Sequence, residues 1–110
     1  MTDPLAHIVV AEHLGQRHLR VVGEIDITNA ASIGDQLSSH ADSAPTVLVD
    51  LTDLQFIDSQ GLNMLHKLAG ELSTHHTALV VIAPLSGIAG SLLQLVGMDQ
   101  TLDIRSALPS

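Results

Sequence analysis

The segment Asp58-Ser59-Gln60-Gly61 holds the side chains of this sequence that are best placed to do chemistry. It follows a predicted buried strand and opens a predicted helix, and such strand ends favour ligand and partner sites in α/β sheets. Ser59 could accept a backbone N–H as a helix cap. If Ser59 were phosphorylated, the helix dipole and free N–H groups could accommodate the added charge. The residues alone therefore leave two hypotheses open, a structural cap beside a tightly packed Gly61 and a phosphorylation site.

The common catalytic arrangements are missing from this sequence. A serine hydrolase needs glycines two residues either side of its nucleophile, whereas Ile57 precedes Ser59 and His66 lies two helical turns away. A receiver-type phosphoacceptor at Asp50 or Asp53 needs a lysine near the last strand, but the only lysine is Lys67, inside a predicted helix. No P-loop is present. We therefore predict a protein that is not an enzyme and needs no cofactor.

Seven histidines suggest a metal site, and their spacing argues against one. No histidine pair has an acidic partner at a standard metal-ligand spacing, and cysteine is absent. We interpret the histidines as surface residues, with His75 and His76 complementing a helix dipole when they are protonated.

Composition excludes several classes of partner. Twelve acidic residues against four basic ones give a net charge of -8, which repels nucleic acid and anionic membrane surfaces. Phe56 is the only aromatic residue, so base-stacking platforms are excluded. The amino terminus lacks the apolar core of a signal peptide, and no apolar run is long enough to span a membrane. We expect a cytoplasmic protein.

Hydrophobic periodicity predicts an α/β domain with the order β-β-α-β-α-β-α and a last short strand. Gly23 is expected to end the second strand, Thr28 to cap the first helix, residues 52–58 to form a connector, and Gly97 to follow the last helix. The predicted strands are 8–11, 19–22, 46–51, 78–83 and 101–104, with a hairpin loop at 14–17 and helices over about 29–41, from about 59, and from 86 or 87. We predict one domain over residues 1–110 with right-handed parallel crossovers in its second half.

Three motifs, taken in order, resemble the STAS family, which includes bacterial anti-sigma factor antagonists and the cytoplasmic domains of sulfate transporters. They are Gly23-Glu24-Ile25-Asp26, Asp50-Leu51-Thr52 and the run from Phe56 to Leu62, with Asp58-Ser59-x-Gly61-Leu62 the most specific part. Residues 95–102 also resemble the last helix of the family and its exit, so the resemblance covers nearly the whole chain. It implies a mixed sheet with helices packed on one face.

The resemblance also implies a function. In antagonists of this type, the serine that corresponds to Ser59 is phosphorylated by a partner that is both anti-sigma factor and serine protein kinase. The unphosphorylated antagonist binds this kinase and frees the sigma factor, the phosphorylated form is released, and a metal-dependent serine phosphatase resets it. Glu24 and Asp26 would lie in the loop beside Ser59. The partner surface implied by the family consists of Glu24, Asp26, Asp58, Ser59, Gln60 and Gly61.

Gln60 departs from the family pattern, which often has a small residue at this position. This leaves open a STAS module that is never phosphorylated and serves as an adaptor in a lipid-transport, transporter-regulatory or stressosome-like assembly. Exposed apolar surface is also compatible with a weak homodimer. On either reading, we expect Glu24, Asp26, Asp53 and Asp58 to crowd the end of the sheet near Ser59, where a phosphate would be repelled.

Overall fold

The apolar runs of this chain pair into one mixed sheet. The structure, a computed structural model, describes residues 5–110. Within them are β1 (Ala6–His13), β2 (Gln16–Ile25), α1 (Ala30–His40), β3 (Thr46–Asp50), β4 (Leu54–Ile57), α2 (Ser59–Thr74), β5 (Ala78–Ile82), α3 (Ile88–Leu95), a 3₁₀ turn (Met98–Gln100) and β6 (Asp103–Arg105). The α/β class and the predicted order of elements are confirmed, with one strand added.

Strand pairing makes the sheet antiparallel at one edge and parallel elsewhere. The strand order is β1-β2-β3-β5-β6, and β4 pairs with β2. The hairpin between β1 and β2 turns on Leu14 and Gly15 alone, both with positive φ, so Gln16 and Arg17 belong to β2 rather than to the predicted loop. The remaining pairs are parallel, as the predicted crossovers require.

β2 does not end at Gly23, as expected, but continues through it to Ile25. Gly23 has φ 115° and lies at a register shift where β2 exchanges one parallel neighbour, β3, for another, β4. A Cβ at Gly23 would lie 2.2 Å from the Leu5 carbonyl oxygen, which accepts a hydrogen bond from Glu24 N. The glycine therefore permits an irregular strand to continue rather than terminating it.

β4 lies within the predicted connector and was missed. The strand has four residues, of which Leu54 and Ile57 are buried while Gln55 and Phe56 are exposed. This pattern has neither the alternation nor the continuous apolar run that identifies a strand in sequence.

The helices share one face of the sheet, as the family resemblance implies. Side chains from all three helices, among them Ile33, Leu65 and Leu93, join one apolar cluster with Val49 and Val81 of the central strands. The opposite, helix-free face has a small cluster over which the carboxyl-terminal segment lies; it consists of Leu48, Val80 and Ile82, with Leu108 packed on it. β3 is thus buried on both faces, as predicted. Within residues 5–110, no helix is both long and apolar enough to cross a bilayer.

The start of α1 differs in its chemistry from the prediction. Thr28 does not cap α1; its hydroxyl donates to the Asp26 carboxylate, and Asn29 occupies the cap position without a side-chain cap bond. α2 ends in a Schellman motif, because Thr77 N bonds Leu72 O and His76 N bonds Ser73 O. His76 is consequently held at φ 60°, where a residue with a Cβ is strained. Gly97 follows α3 as predicted, with φ 77°.

The strain at His76 predicts a stabilising substitution. His76→Gly removes the left-handed penalty, so the free energy of unfolding should rise by about 1 kcal/mol in urea titrations. His75→Gly is the matched control, because His75 has φ -99° and gains nothing from glycine. A loss of stability in His76→Gly would contradict the assignment of strain to this residue.

Candidate functional site

The carboxyl ends of β2 and β4 lie side by side and place two acidic residues together. Ile25 pairs with Ile57 in parallel register, and Asp58 N donates to Ile25 O at 3.2 Å. Asp26 and Asp58 are each the first residue beyond their strand. Adjacent strands are about 4.8 Å apart, so the backbones of these two aspartates are neighbours.

Ser59 is the first residue of α2 rather than its cap. Asp58 is the cap, and its Oδ1 accepts from Gln60 N at 2.9 Å and from Gly61 N at 3.1 Å. Ser59 is exposed, and its hydroxyl has no hydrogen-bond partner among residues 5–110. Of the two hypotheses that the residues left open, the structural cap is therefore wrong for Ser59, and its hydroxyl is accessible to another protein.

Gly61 lets α2 approach the strand ends. The glycine is buried, and a Cβ there would lie 2.5 Å from Ile57 Cγ1 and 3.0 Å from Ile25 Cγ2. Its expected part in a partner surface is therefore indirect, since the close packing fixes where Ser59 stands. The tight-packing interpretation of Gly61 agrees with this geometry.

The loop after β2 is held by its own side chains. Asp26 accepts from Thr28 N at 2.8 Å and from the Thr28 hydroxyl, while Asn29 Nδ2 donates to Glu24 O at 2.8 Å. The hydrogen bonds from the Thr28 hydroxyl and amide lower the pKa of Asp26 below its usual value. The carboxylate beside the Ser59 turn is thus both ionised at neutral pH and fixed in place.

Two of the expected acidic neighbours lie elsewhere than predicted. Glu24 is an exposed strand residue opposite Phe56, not a loop residue. Asp53 precedes β4, five residues and about 16 Å of extended chain from Asp58. Its Oδ2 accepts from Arg20 Nη1 at 2.5 Å. Strand pairing therefore brings Asp26 and Asp58 together next to Ser59, whereas Glu24 and Asp53 lie farther from the turn.

Gln60 lines a groove between α1 and α2. The groove has a volume of about 210 Å³, and its wall includes Gly34 and Lys67. A Cβ at Gly34 would lie 2.8 Å from Met64 Cγ, so the two helices approach closely below the groove. The position where this chain departs from the STAS pattern therefore faces α1, to one side of Ser59.

A buried polar pair lies at the end of β3 and was not predicted. The His18 Nε2 donates to Asp50 Oδ2 at 2.8 Å, and the two side chains are only 13% and 7% exposed. Burial raises the pKa of Asp50, but hydrogen bonds from Thr52 and His18 outweigh it, and the pKa lies below its usual value. His18, with its side chain 13% exposed, contradicts the interpretation of all the histidines as surface residues. Only the register of β2 against β3 reveals the pair, so no local sequence signal could have found it.

Comparison with known proteins places this geometry in a family. A family model described as "Mlab, STAS domain" matches residues 8–106. The anti-sigma-F factor antagonist RsfB of Mycobacterium tuberculosis is 29% identical over 102 residues, which cover 92% of this chain and 82% of that protein.

Solved structures agree with this placement. The crystal structure of an anti-sigma factor antagonist from Mycobacterium paratuberculosis superposes with a TM-score of 0.78 at 26% identity, covering 98% of this chain and 92% of that one. The anti-sigma factor antagonist SpoIIAA in its unphosphorylated form has the same fold, with a TM-score of 0.63 at 18% identity and coverage of 91% and 89%.

The cap on α2 predicts the effect of removing its carboxylate. Asp58→Ala leaves two amide groups at the start of α2 without their acceptor, so the free energy of unfolding should fall by about 1 kcal/mol in a denaturant titration. Asp58→Asn keeps an oxygen acceptor and should retain most of the stability. Equal losses in the two variants would mean that the carboxylate charge, not the cap bond, is what stabilises α2.

The buried Asp50 predicts a pH dependence of stability. Because its folded pKa lies below the unfolded value of about 3.9, its contribution is present above that pH and is lost as the pH falls through the folded pKa. Asp50→Asn should therefore flatten the loss of thermal stability below about pH 4. Thr52→Ala, which removes one hydroxyl donor, should flatten it in part. A slope unchanged in both variants would contradict the assignment.

Proposed function

The chain belongs to the STAS domain family, and we propose that it is an anti-sigma factor antagonist whose binding is switched by phosphorylation of Ser59. The unphosphorylated form binds an anti-sigma factor and frees the sigma factor. The observation that carries the proposal is the exposed, unbonded hydroxyl of Ser59 beside Asp26 and Asp58. The name of the similar mycobacterial protein supports the kind of partner.

The anti-sigma factor is proposed to be a serine protein kinase as well. The Ser59 oxygen attacks the terminal phosphorus of ATP held by the kinase, the bond to ADP breaks, and the serine proton leaves. A hydroxyl at the first residue of a helix, with no intramolecular bond to break, suits this transfer. A separate serine phosphatase would restore the hydroxyl, so each partner supplies chemistry that this chain lacks.

Added charge is the physical basis of release. A phosphate contributes about -1.5 to -2 at neutral pH, and Asp26 and Asp58 stand next to Ser59. Repulsion from one carboxylate about 5 Å away is ~1–3 kcal/mol per unit of charge at effective dielectrics from bulk water to about 20. A partner surface desolvates these charges, so their repulsion rises on binding, and each rise of about 1.4 kcal/mol weakens the affinity tenfold without any refolding.

The start of α2 offers a phosphate little compensation. Asp58 already accepts from the amides of Gln60 and Gly61, the groups that would otherwise bind an anion at a helix start. Two of the N–H groups expected to accommodate the phosphate are therefore already bonded. A phosphate on Ser59 is hydrated in the free protein and loses that water at the partner surface. Phosphorylation therefore disfavours the complex.

The contact surface is proposed to consist of the exposed and half-buried groups around Ser59. Its carboxylates and amide belong to Glu24, Asp26, Asp58 and Gln60, and the packing of Gly61 holds the first turn of α2 in place. A partner that fits this surface presents hydrogen-bond donors to the carboxylates and receives Ser59 as a neutral hydroxyl.

Two substitutions of Ser59 test the switch. Ser59→Ala should bind the anti-sigma factor kinase constitutively, because no phosphate can be added. Ser59→Asp should bind at least about tenfold more weakly, since a fixed negative charge joins Asp26 and Asp58. Titration calorimetry measures the affinity of both variants for the kinase, and equal affinities would contradict the mechanism.

Intact mass separates the switch from an adaptor role. The protein is incubated with ATP and a small ATP-binding serine kinase encoded beside its gene. A gain of one phosphate that Ser59→Ala does not show supports the switch. No gain with any such kinase favours the non-phosphorylated adaptor, a role that Gln60 left open.

A further inference from the structure

α3 is apolar on two sides, unlike the other helices of residues 5–110. Its sequence IAGSLLQL contains no charged residue, whereas α1 contains Asp35 and α2 contains Lys67 and Glu71. Ala89, Gly90 and Leu93 face the core and are buried. Ser91 and Gln94 are the polar residues of α3, and beside them its outer side exposes apolar groups that a partner could cover.

The outer side of α3 forms a continuous ridge. Ile88, Leu92 and Leu95 follow the spacing i, i+4, i+7, which places them on one face of a helix. Ile88 is 51% exposed and Leu95 is 81% exposed, and Leu92 is half-buried at the edge of the core. We call these three residues the α3 ridge.

The α3 ridge lies at the same part of the molecule as Ser59. α3 packs against β4, the strand that leads directly into Asp58 and Ser59. α2 and α3 pack on the same face of the sheet, so a partner that sits on the start of α2 can extend to α3.

Charge decides which partner can cover the ridge. The net charge is -8, and within residues 5–110 no ion pair involves Asp26 or Asp58, since Arg20 binds Asp53 and Arg105 binds Asp103. A second copy of this chain carries the same net charge of -8 and would be repelled overall. A partner with an apolar centre and a basic rim is complementary to it.

We propose that the α3 ridge is a second contact surface for the anti-sigma factor, one that binds whether or not Ser59 is phosphorylated. The proposal rests on the proposed function and deepens it. The ridge supplies apolar contact, and Ser59 supplies the charge-sensitive part of the same interface. Phosphorylation then weakens the complex without removing every contact.

Leu95→Gln tests the ridge, with Leu14→Gln as the matched control. Leu14 is 68% exposed in the hairpin turn, at the end of β2 opposite to Ser59, so both variants lose an exposed leucine and keep the core. Calorimetry with the kinase that phosphorylates Ser59 should show Leu95→Gln binding about tenfold more weakly and Leu14→Gln unchanged. The same loss should appear in the Ser59→Asp background.

Each other outcome identifies what has failed. If Leu95→Gln binds as wild type while Ser59→Asp binds weakly, the ridge proposal is overturned and the switch stands. If neither variant differs from wild type, the proposed function has failed. If wild type sediments as a dimer that Leu95→Gln dissociates, a second copy covers the ridge and this inference is wrong.

Discussion

The parallel pairing of the last residues of β2 and β4 is the constraint on which the candidate site depends. Ile25 pairs with Ile57, and the Asp58 amide donates to Ile25 O. These contacts place the turn after β2 next to the turn after β4. Gly23 makes this possible by letting β2 leave β3 and continue beside β4. Gly61 then lets α2 seat on both isoleucines. Ser59 is positioned by backbone geometry rather than by a bond of its own.

The scaffold could be predicted from the sequence because its apolar spacing is regular. α2 begins at Ser59 as predicted, and β3 and β5 are the buried strands expected from their continuous apolar runs. β4 could not be predicted, because its stability comes from its neighbour β2 and not from its own four residues. The same holds for the end of β2, where a glycine that usually ends a strand carries it onward.

The candidate site was predicted in composition but not in detail. The motif resemblance implied that Asp26 lies beside Ser59, and the pairing of β2 with β4 explains why Asp26 and Asp58 are neighbours. Which side chain caps α2 depends on backbone angles that composition does not encode, so Asp58 and not Ser59 takes that place. The bond between His18 and Asp50 joins residues 32 positions apart and requires the register of two strands.

The cap formed by Asp58 would tie folding to the proposed regulation. One carboxylate holds the first turn of α2 and stands beside the serine that opens this helix. A substitution that removed the Asp58 carboxylate would reduce the repulsion of a phosphate on Ser59. It would also destabilise the first turn of α2. Selection on stability alone would then preserve the electrostatic sensitivity of the turn. A lineage could lose its kinase and still keep, for structural reasons, a surface ready to respond to one.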